Sequence, residues 1–520
     1  MTEIETVIAL LGVVALITVV ARRIGVPYPI LMVIGGLALG FVPGLPRVEL
    51  EPDVVLLIFL PPILFSAAYL SSPRELWRNV RPIGFLAVGL VLATTVAVAA
   101  VTMALVPSIG WAAAIALGAI VSPTDAIAAT SIVQRLGLPG RLVTVIEGES
   151  LVNDATALLT FRFAVAAAGS TIALAPAQAA TDFVVLAAGG TAIGLAVGWL
   201  TAEILARLDD PPVAVLVTLV APFAAYLPAE ALGVSGVLAA VSAGLLAGWR
   251  ASRVTSSDTR ILGFATWQMT TFVLNGLAFL LVGLQLPSVL DSIGGRSASE
   301  LALLALALVL TVIGVRMAWV FPGAYLPRWL IPGLARRDPI PPASVIVILG
   351  WAGMRGAVSL AAALALPRGF PERDLLVFLA FVVILATLVG QGLTLPLLIR
   401  SLGVGDDGSA AHEEVHAREA ANEAALRRLD ELVTEVPGHL PLIDQLREQH
   451  AHIAEHYARG REGPEAPLDQ EELDHEAIRR AVVAAKREAV LGMRDSGLIG
   501  DGALRTVERD LDLEELRHDL

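Results

Sequence analysis

The chain has 520 residues, of which 56% are hydrophobic and 16% charged, with a mean hydropathy of +0.74 and a formal net charge of −13. That is too apolar for a soluble protein of this length and ample for a polytopic membrane protein. Cysteine is absent, which excludes disulfides and thiolate metal sites.

The first segment follows an acidic MTEIE and lacks a basic n-region and a small-residue cleavage site, so it reads as a retained span. Apolar runs long enough to cross a bilayer lie near 5–22, 28–46, 52–70, 82–106, 109–134, 142–168, 179–206, 212–229, 233–249, 261–286, 299–321, 342–367 and 374–399, thirteen in all. Pro61 and Pro62 interrupt the third, and the seventh is long enough to be a tilted connector. Loops after the odd-numbered runs hold fifteen arginines and the opposite loops four. This asymmetry predicts a multi-pass protein of the plasma (inner) membrane, with its N-terminus outside and its C-terminal tail cytoplasmic.

The fifth and sixth runs carry carboxylates where a span normally has none. In VSPTDAIAATSIVQRLGLPGRLVTVIEGESLVND, residues 121–154, Asp125 lies ten residues before Arg135 and Asp154 thirteen after Arg141. At about 1.5 Å per helical residue both sit roughly 15–20 Å above the same loop, near the middle of a hydrocarbon core of about 30 Å. An ionised carboxylate there costs at least ~2.5–3.5 kcal/mol, so such acids face a wet cavity and handle ions or protons.

Pro123 removes a backbone donor and disfavours helix at Ser122, while Thr124 and Asp125 are residues that cap a new helix. This predicts a broken helix rather than an ordinary proline kink. Ser150 and Asp154, four apart, share a helix face with Asn153 beside them, and Glu149 and Asn153 form the neighbouring ridge. Oxygen atoms on adjoining ridges suit a hard monovalent cation. Two carboxylates at one depth repel when both are ionised, so the site holds a proton or a cation but not readily both. Asp125 either shares in the exchange or chiefly caps the broken helix. Glu147, nearer the loop, reads as an acid at a cavity mouth.

The twelfth run, ILGWAGMRGAVSLAAALAL, buries Arg355 among Gly350, Gly353 and Gly356, the mark of a second interrupted helix. A lone buried arginine is costly, so the expectation is a structural ion pair of Glu149 with Arg355, against the alternatives that Arg355 snorkels or binds substrate. Arg162 and Arg316 are further intramembrane arginines whose partners the sequence does not identify. The interrupted runs are seven apart, which fits two inverted repeats, runs 1–6 and 8–13, joined by the seventh.

Composition changes near Gly403. Residues 402–520 hold 28 acids against 14 Arg plus Lys, a net of −14, which leaves +1 for the membrane part. Charged stretches at 411–435 and 469–494 have apolar residues at helical spacing, with a Gly/Pro-rich break at 460–467, as expected of a small helical domain. All eight histidines lie in this tail, and His450, His452 and His456 read as solvated surface residues rather than a metal site.

VSPTDAIAATSI, EGESLVNDATAL, FVLNGLAFLLVGLQL at 272–286 and WAGMRGAVSLAAALALP at 351–367, in this order, resemble the monovalent cation/proton antiporters of the NhaP and NHE type over about residues 5–400. The resemblance implies an all-α polytopic fold with two crossed, interrupted helices. It makes Asp154 the exchanging carboxylate, Asn153 the asparagine of an Asn-Asp pair, Thr124 and Ser150 ligands of Na+ with Asp154, and Asp125 the stabiliser of the crossed helices. Glu149 with Arg355 would be the family's structural pair. It also implies a homodimer, with runs 1–3 and 8–10 as the dimer domain, 4–6 and 11–13 as the moving core, and 402–520 as a cytoplasmic regulatory tail of unknown ligand. In LPPILFSAAYL the sequence departs from the family: Ser66 stands where many members have an acid, leaving it only a possible additional ligand.

The expectation is therefore a secondary antiporter exchanging Na+ (or Li+ or K+) for protons by alternating access, electroneutral because Asn153 cannot ionise. It has no cofactor and no nucleic-acid partner. A cation channel would use the same acids without coupling, and a K+-preferring antiporter is the nearer alternative. An enzyme is not expected: GVGD at 403–406 matches the Gly-x-Gly-Asp of intramembrane aspartyl proteases, but it follows the last run and has no Tyr-Asp partner.

Overall fold

The computed structural model describes residues 3–43, 52–169, 176–293, 296–331, 336, 338–405, 408–460, 470–496 and isolated positions beyond. Two compact units divide it, Met1–Asp407 and Gly408–Leu520. The described residues are helical or connecting, with no strand among them.

The first unit begins with α1 (Glu3–Ile24), α2 (Tyr28–Gly40), α3 (Pro52–Leu70) and α4 (Val80–Leu105). The fifth run is two helices, α5 (Trp111–Val121) and α6 (Ala126–Arg135). Then come α7 (Gly140–Gly169), α8 (Pro176–Leu205), α9 (Pro211–Ala231), α10 (Gly236–Val254), α11 (Ser257–Leu284) and α12 (Ala298–Leu330). The twelfth run is again divided, into α13 (Ala343–Trp351) and α14 (Ala357–Leu364), and α15 (Arg373–Leu402) closes the unit. Among the described residues nine helices are long and apolar enough to cross a membrane, counting α5 with α6 as one. Each of the other expected runs also coincides with a helix, α2, α3, α10 or the α13/α14 pair. The proline pair does not end α3, which runs through Pro61 and Pro62 as a packed membrane helix can. Large apolar side chains such as Ile8, Leu16, Val96, Leu216 and Leu306 point outward on these helices, as a lipid-facing surface requires.

Small residues set the closest approaches. Gly190, Gly194 and Gly198, four apart on α8, lie against the backbone of Ser235, Ala239 and Ala243 of α10, where no Cβ would fit. Gly244 and Gly248 of α10 do the same against Phe65 and Tyr69 of α3. With no aqueous driving force between membrane helices, such close packing supplies the association energy.

The second unit holds α16 (Ser409–Glu435), α17 (Leu440–Gly460) and α18 (Gln470–Asp495). The sequence pattern singled out the first and last of these but not α17. A short turn, Pro437–His439, folds α17 back on α16. Asn422 joins them by donating Nδ2 to the His450 carbonyl at 2.9 Å and sharing a 2.6 Å hydrogen bond with His450 Nδ1. His450 is thus a helix-pairing residue. The side chains of His452 and His456, the loop arginines Arg47 and Arg337, and residues 461–467 of the Gly/Pro-rich break lie outside the described residues.

Candidate functional site

The site forms where the two broken helices meet. Helix α5 ends at Val121, residues 122–125 are not helical, and Asp125 caps α6 by accepting the Ile127 amide on Oδ1 at 2.8 Å. Across from it, residues 352–356 separate α13 from α14. The breaks are joined by backbone: Asp125 N donates to Met354 O at 2.7 Å. Gly356 lies so close to the Asp125 carboxylate that a Cβ there would overlap it.

Arg355 serves this crossing, and does not pair with Glu149 as its sequence context suggested. Its Nε donates to Val121 O at 3.0 Å and its Nη1 to Gly353 O, while its backbone N donates to Thr387 Oγ1 at 3.2 Å. Val121 is the last residue of α5, whose end carries unsatisfied carbonyls and the negative pole of the helix dipole, so a cation fits there without a carboxylate. The partner of Glu149 is Arg316 of α12, in a two-pronged pair with Nη2 to Oε2 at 2.9 Å and Nη1 to Oε1. Arg316 also donates to Leu349 O at 3.1 Å, and Gly353 leaves the space its side chain occupies.

A chain of hydrogen bonds runs from this pair to the break. Thr124 Oγ1 donates to Glu149 Oε1 at 2.9 Å, and Asn153 Nδ2 donates to Thr124 Oγ1 at 2.9 Å and to Thr124 O at 3.3 Å. Ser150 Oγ accepts the Ala126 amide at 3.4 Å. Asp154, one turn beyond Ser150, makes no hydrogen bond with any described residue and is 5% exposed.

A cavity of about 500 Å³ reaches this point. Asp125, Asp154, Thr124, Ser150 and Ser66 line it, as does Asn275 of α11. Gln134, Phe264 and Gln268, all exposed, mark its mouth, on the side of the loop between α6 and α7; Glu147, expected at the mouth, is among the lining residues. A small apolar cavity of about 40 Å³, lined by residues such as Phe59, Leu281 and Leu364, adjoins the large one. Asn153 and Glu149 are fully buried and do not border the large cavity. They stand behind it, positioning Thr124. Arg162, unassigned from sequence, meets Glu230 of α9 at 2.6 Å.

A family model described as "Sodium/hydrogen exchanger, transmembrane" matches residues 7–401. The chain belongs to the sodium/hydrogen exchanger family. A protein of Mycobacterium tuberculosis named as a Na(+)/H(+) exchanger is 36% identical to it over 520 residues, covering 98% of this chain and 95% of that one. A sodium, potassium, lithium and rubidium/H(+) antiporter of Bacillus subtilis is 35% identical over 418 residues, 75% of this chain and 61% of its own. Among solved structures, the sodium proton antiporter MjNhaP1 of Methanocaldococcus jannaschii aligns with a TM-score of 0.60, covering 77% of this chain and 98% of that one at 19% identity, which is a likeness of fold. As a member of the exchanger family, the chain is a multi-pass membrane protein that carries out cation/proton antiport.

Sequence reasoning missed Arg316 as the partner of Glu149 and gave no role to Asn275. Arg316 stood out as a charged residue in an apolar run and Asn275 was not singled out; only the folded chain says what each faces.

Proposed function

We propose that this protein exchanges Na+ for H+ at Asp154 by alternating access, one cation for one proton. The observation that carries this reading is that Asp154 and Asp125 line the same cavity of about 500 Å³, and that Asp154 makes no hydrogen bond with any described residue. A carboxylate without a resident counter-charge is able to trade a proton for a cation. Thr124, Ser150 and Ser66 supply neutral oxygens around it, while Asp125 remains with the α6 amides it caps. A cavity whose mouth lies on the side of the loop between α6 and α7 supports alternating access.

In this reading the cavity mouth faces the cytoplasm, following the fifteen-to-four arginine asymmetry of the loops. The N-terminus is outside the plasma membrane and residues 402–520 form a cytoplasmic regulatory tail. The protein works as a homodimer. Helices α1–α3 and α9–α11 are its fixed part, and α4–α7 with α12–α15 are the moving core. It is a transporter that needs no cofactor and serves pH and sodium homeostasis. The name of the Bacillus subtilis relative supports acceptance of K+ and Li+ as well. Proton flux in proteoliposomes, driven in turn by sodium, potassium and lithium gradients, tests the reading: coupled flux with sodium is expected, and sodium permeation without proton movement would refute it.

A further inference from the structure

Several helices line the cavity, α3, α6, α7, α11 and α14 among them. The start of α6 and the middle of α7 present the acids. On α11, Gln268, Thr271 and Asn275 follow one another at three- and four-residue spacing from the mouth inward, with Phe264 and Phe272 beside them. Ala278, next on that face, borders both this cavity and the small apolar one, while Leu281 and Val282 border the small one. Asn275 is therefore the innermost polar residue that α11 gives to the large cavity.

Asn275 differs from the two residues before it. Gln268 is exposed, and the Thr271 hydroxyl is engaged by the carbonyls of Trp267 and Gln268 at 2.7 and 3.1 Å. Asn275 is 6% exposed and its amide makes no hydrogen bond with any described residue, although it lines the cavity. A buried amide lacking a protein partner is costly unless water or a ligand satisfies it. Ser66 of α3 lies on the same cavity, its hydroxyl donating to Ile63 O at 2.9 Å and its oxygen lone pairs remaining available.

We propose that Asn275 sets cation affinity and selectivity, its amide oxygen completing, with the Ser66 oxygen, the neutral half of the cation's coordination shell opposite Asp154. This rests on the reading of Asp154 as the exchanging carboxylate. A hard cation stripped of water needs several oxygens, and carboxylates alone do not distinguish it from a proton. An amide oxygen binds the cation but does not titrate, so it favours the metal over the proton and holds an oxygen at a fixed distance from the acids. That distance discriminates between cations of different radius.

The test is cation-dependent proton flux in proteoliposomes of the full chain, with sodium and potassium, for wild type, Asn275→Ala, Asn275→Leu, Asn275→Gln and Asp154→Asn. Removing the oxygen in the Ala or Leu variant is expected to raise the half-saturating cation concentration roughly tenfold or more, with maximal rate within about twofold, and to narrow the difference between the two cations. Leu, which has Asn's branched shape without its polar atoms and is at home in a membrane helix, carries the test if Ala does not fold. Gln, which keeps the oxygen one methylene further out, is expected to regain part of the affinity with an altered preference. An unchanged half-saturating concentration and preference in the Ala or Leu variant, or a loss of maximal rate alone, overturns the role of Asn275. Exchange retained in Asp154→Asn overturns the underlying site instead.

Discussion

Arg316 grips Glu149 with both guanidinium nitrogens, Nη2 at 2.9 Å from Oε2, and neither side chain is more than 2% exposed. The pair ties α12 to α7 behind the site, and through Thr124 it reaches the break between α5 and α6. Removing one partner leaves a bare charge in a dry interior, so Glu149→Ala or Arg316→Ala should each destabilise the protein by ~3–5 kcal/mol, and the double variant should be milder. Thermal unfolding in detergent measures this as a double-mutant cycle. The cycle of Glu149 with Arg355 should show the smaller coupling, and a larger one there would contradict the pairing.

Gly356 faces the Asp125 carboxylate with no room for a methyl group. Gly356→Ala should push the two breaks apart, costing about 1–3 kcal/mol as overpacking does, and should depress exchange more than stability. Comparing maximal flux with the unfolding temperature of the variant checks this. Normal flux would mean that the crossing tolerates displacement.

How far the sequence reached depends on the range of each signal. The two breaks were legible because Pro123 and the glycines around Arg355 act on their own backbone, as did the capping role of Asp125. The common depth of Asp125 and Asp154 followed from counting residues to one loop. The partner of Glu149 was not legible, because Arg316 is 167 positions away and two arginines competed for one acid. The decision turned on helix-end carbonyls, which have no sequence signature: Val121 O holds Arg355 and so leaves Arg316 for Glu149. For the same reason Asn153, read as facing the ion, turned out to lie behind Thr124.

In the loop between α12 and α13, Asp338 meets Arg141 and Arg328, each at 2.7 Å. Burial alone would raise its pKa, but hydrogen bonds and charge from Arg141 and then Arg328 outweigh it and hold the carboxyl below the ordinary range. A folded pKa below the unfolded one contributes stability that is full above the unfolded value of about 3.9 and is lost as pH falls through the lower folded value. Asp338→Asn should therefore unfold at lower temperature than wild type at pH 7, with the gap closing only below about pH 4. A gap that closes between pH 5 and 7 would contradict this.

Asn153 is fully buried and cannot ionise, so the site offers one exchanging acid if Asp125 stays with its cap. Sodium-driven proton flux should then be independent of an imposed potential, which would act on one unbalanced charge with ~2.3 kcal/mol per 100 mV. Proteoliposomes clamped with a potassium ionophore check this. A rate that follows the potential would mean that a second proton moves, with Asp125 its expected carrier.

The role of Asp154 is tested most directly by Asp154→Asn, which keeps the side chain's shape and removes its titratable charge. Reconstituted at equal amounts, wild type should show sodium-dependent proton flux and the variant none, with both unfolding cooperatively at similar temperatures. Sodium-dependent proton flux retained by the folded variant would contradict the assignment.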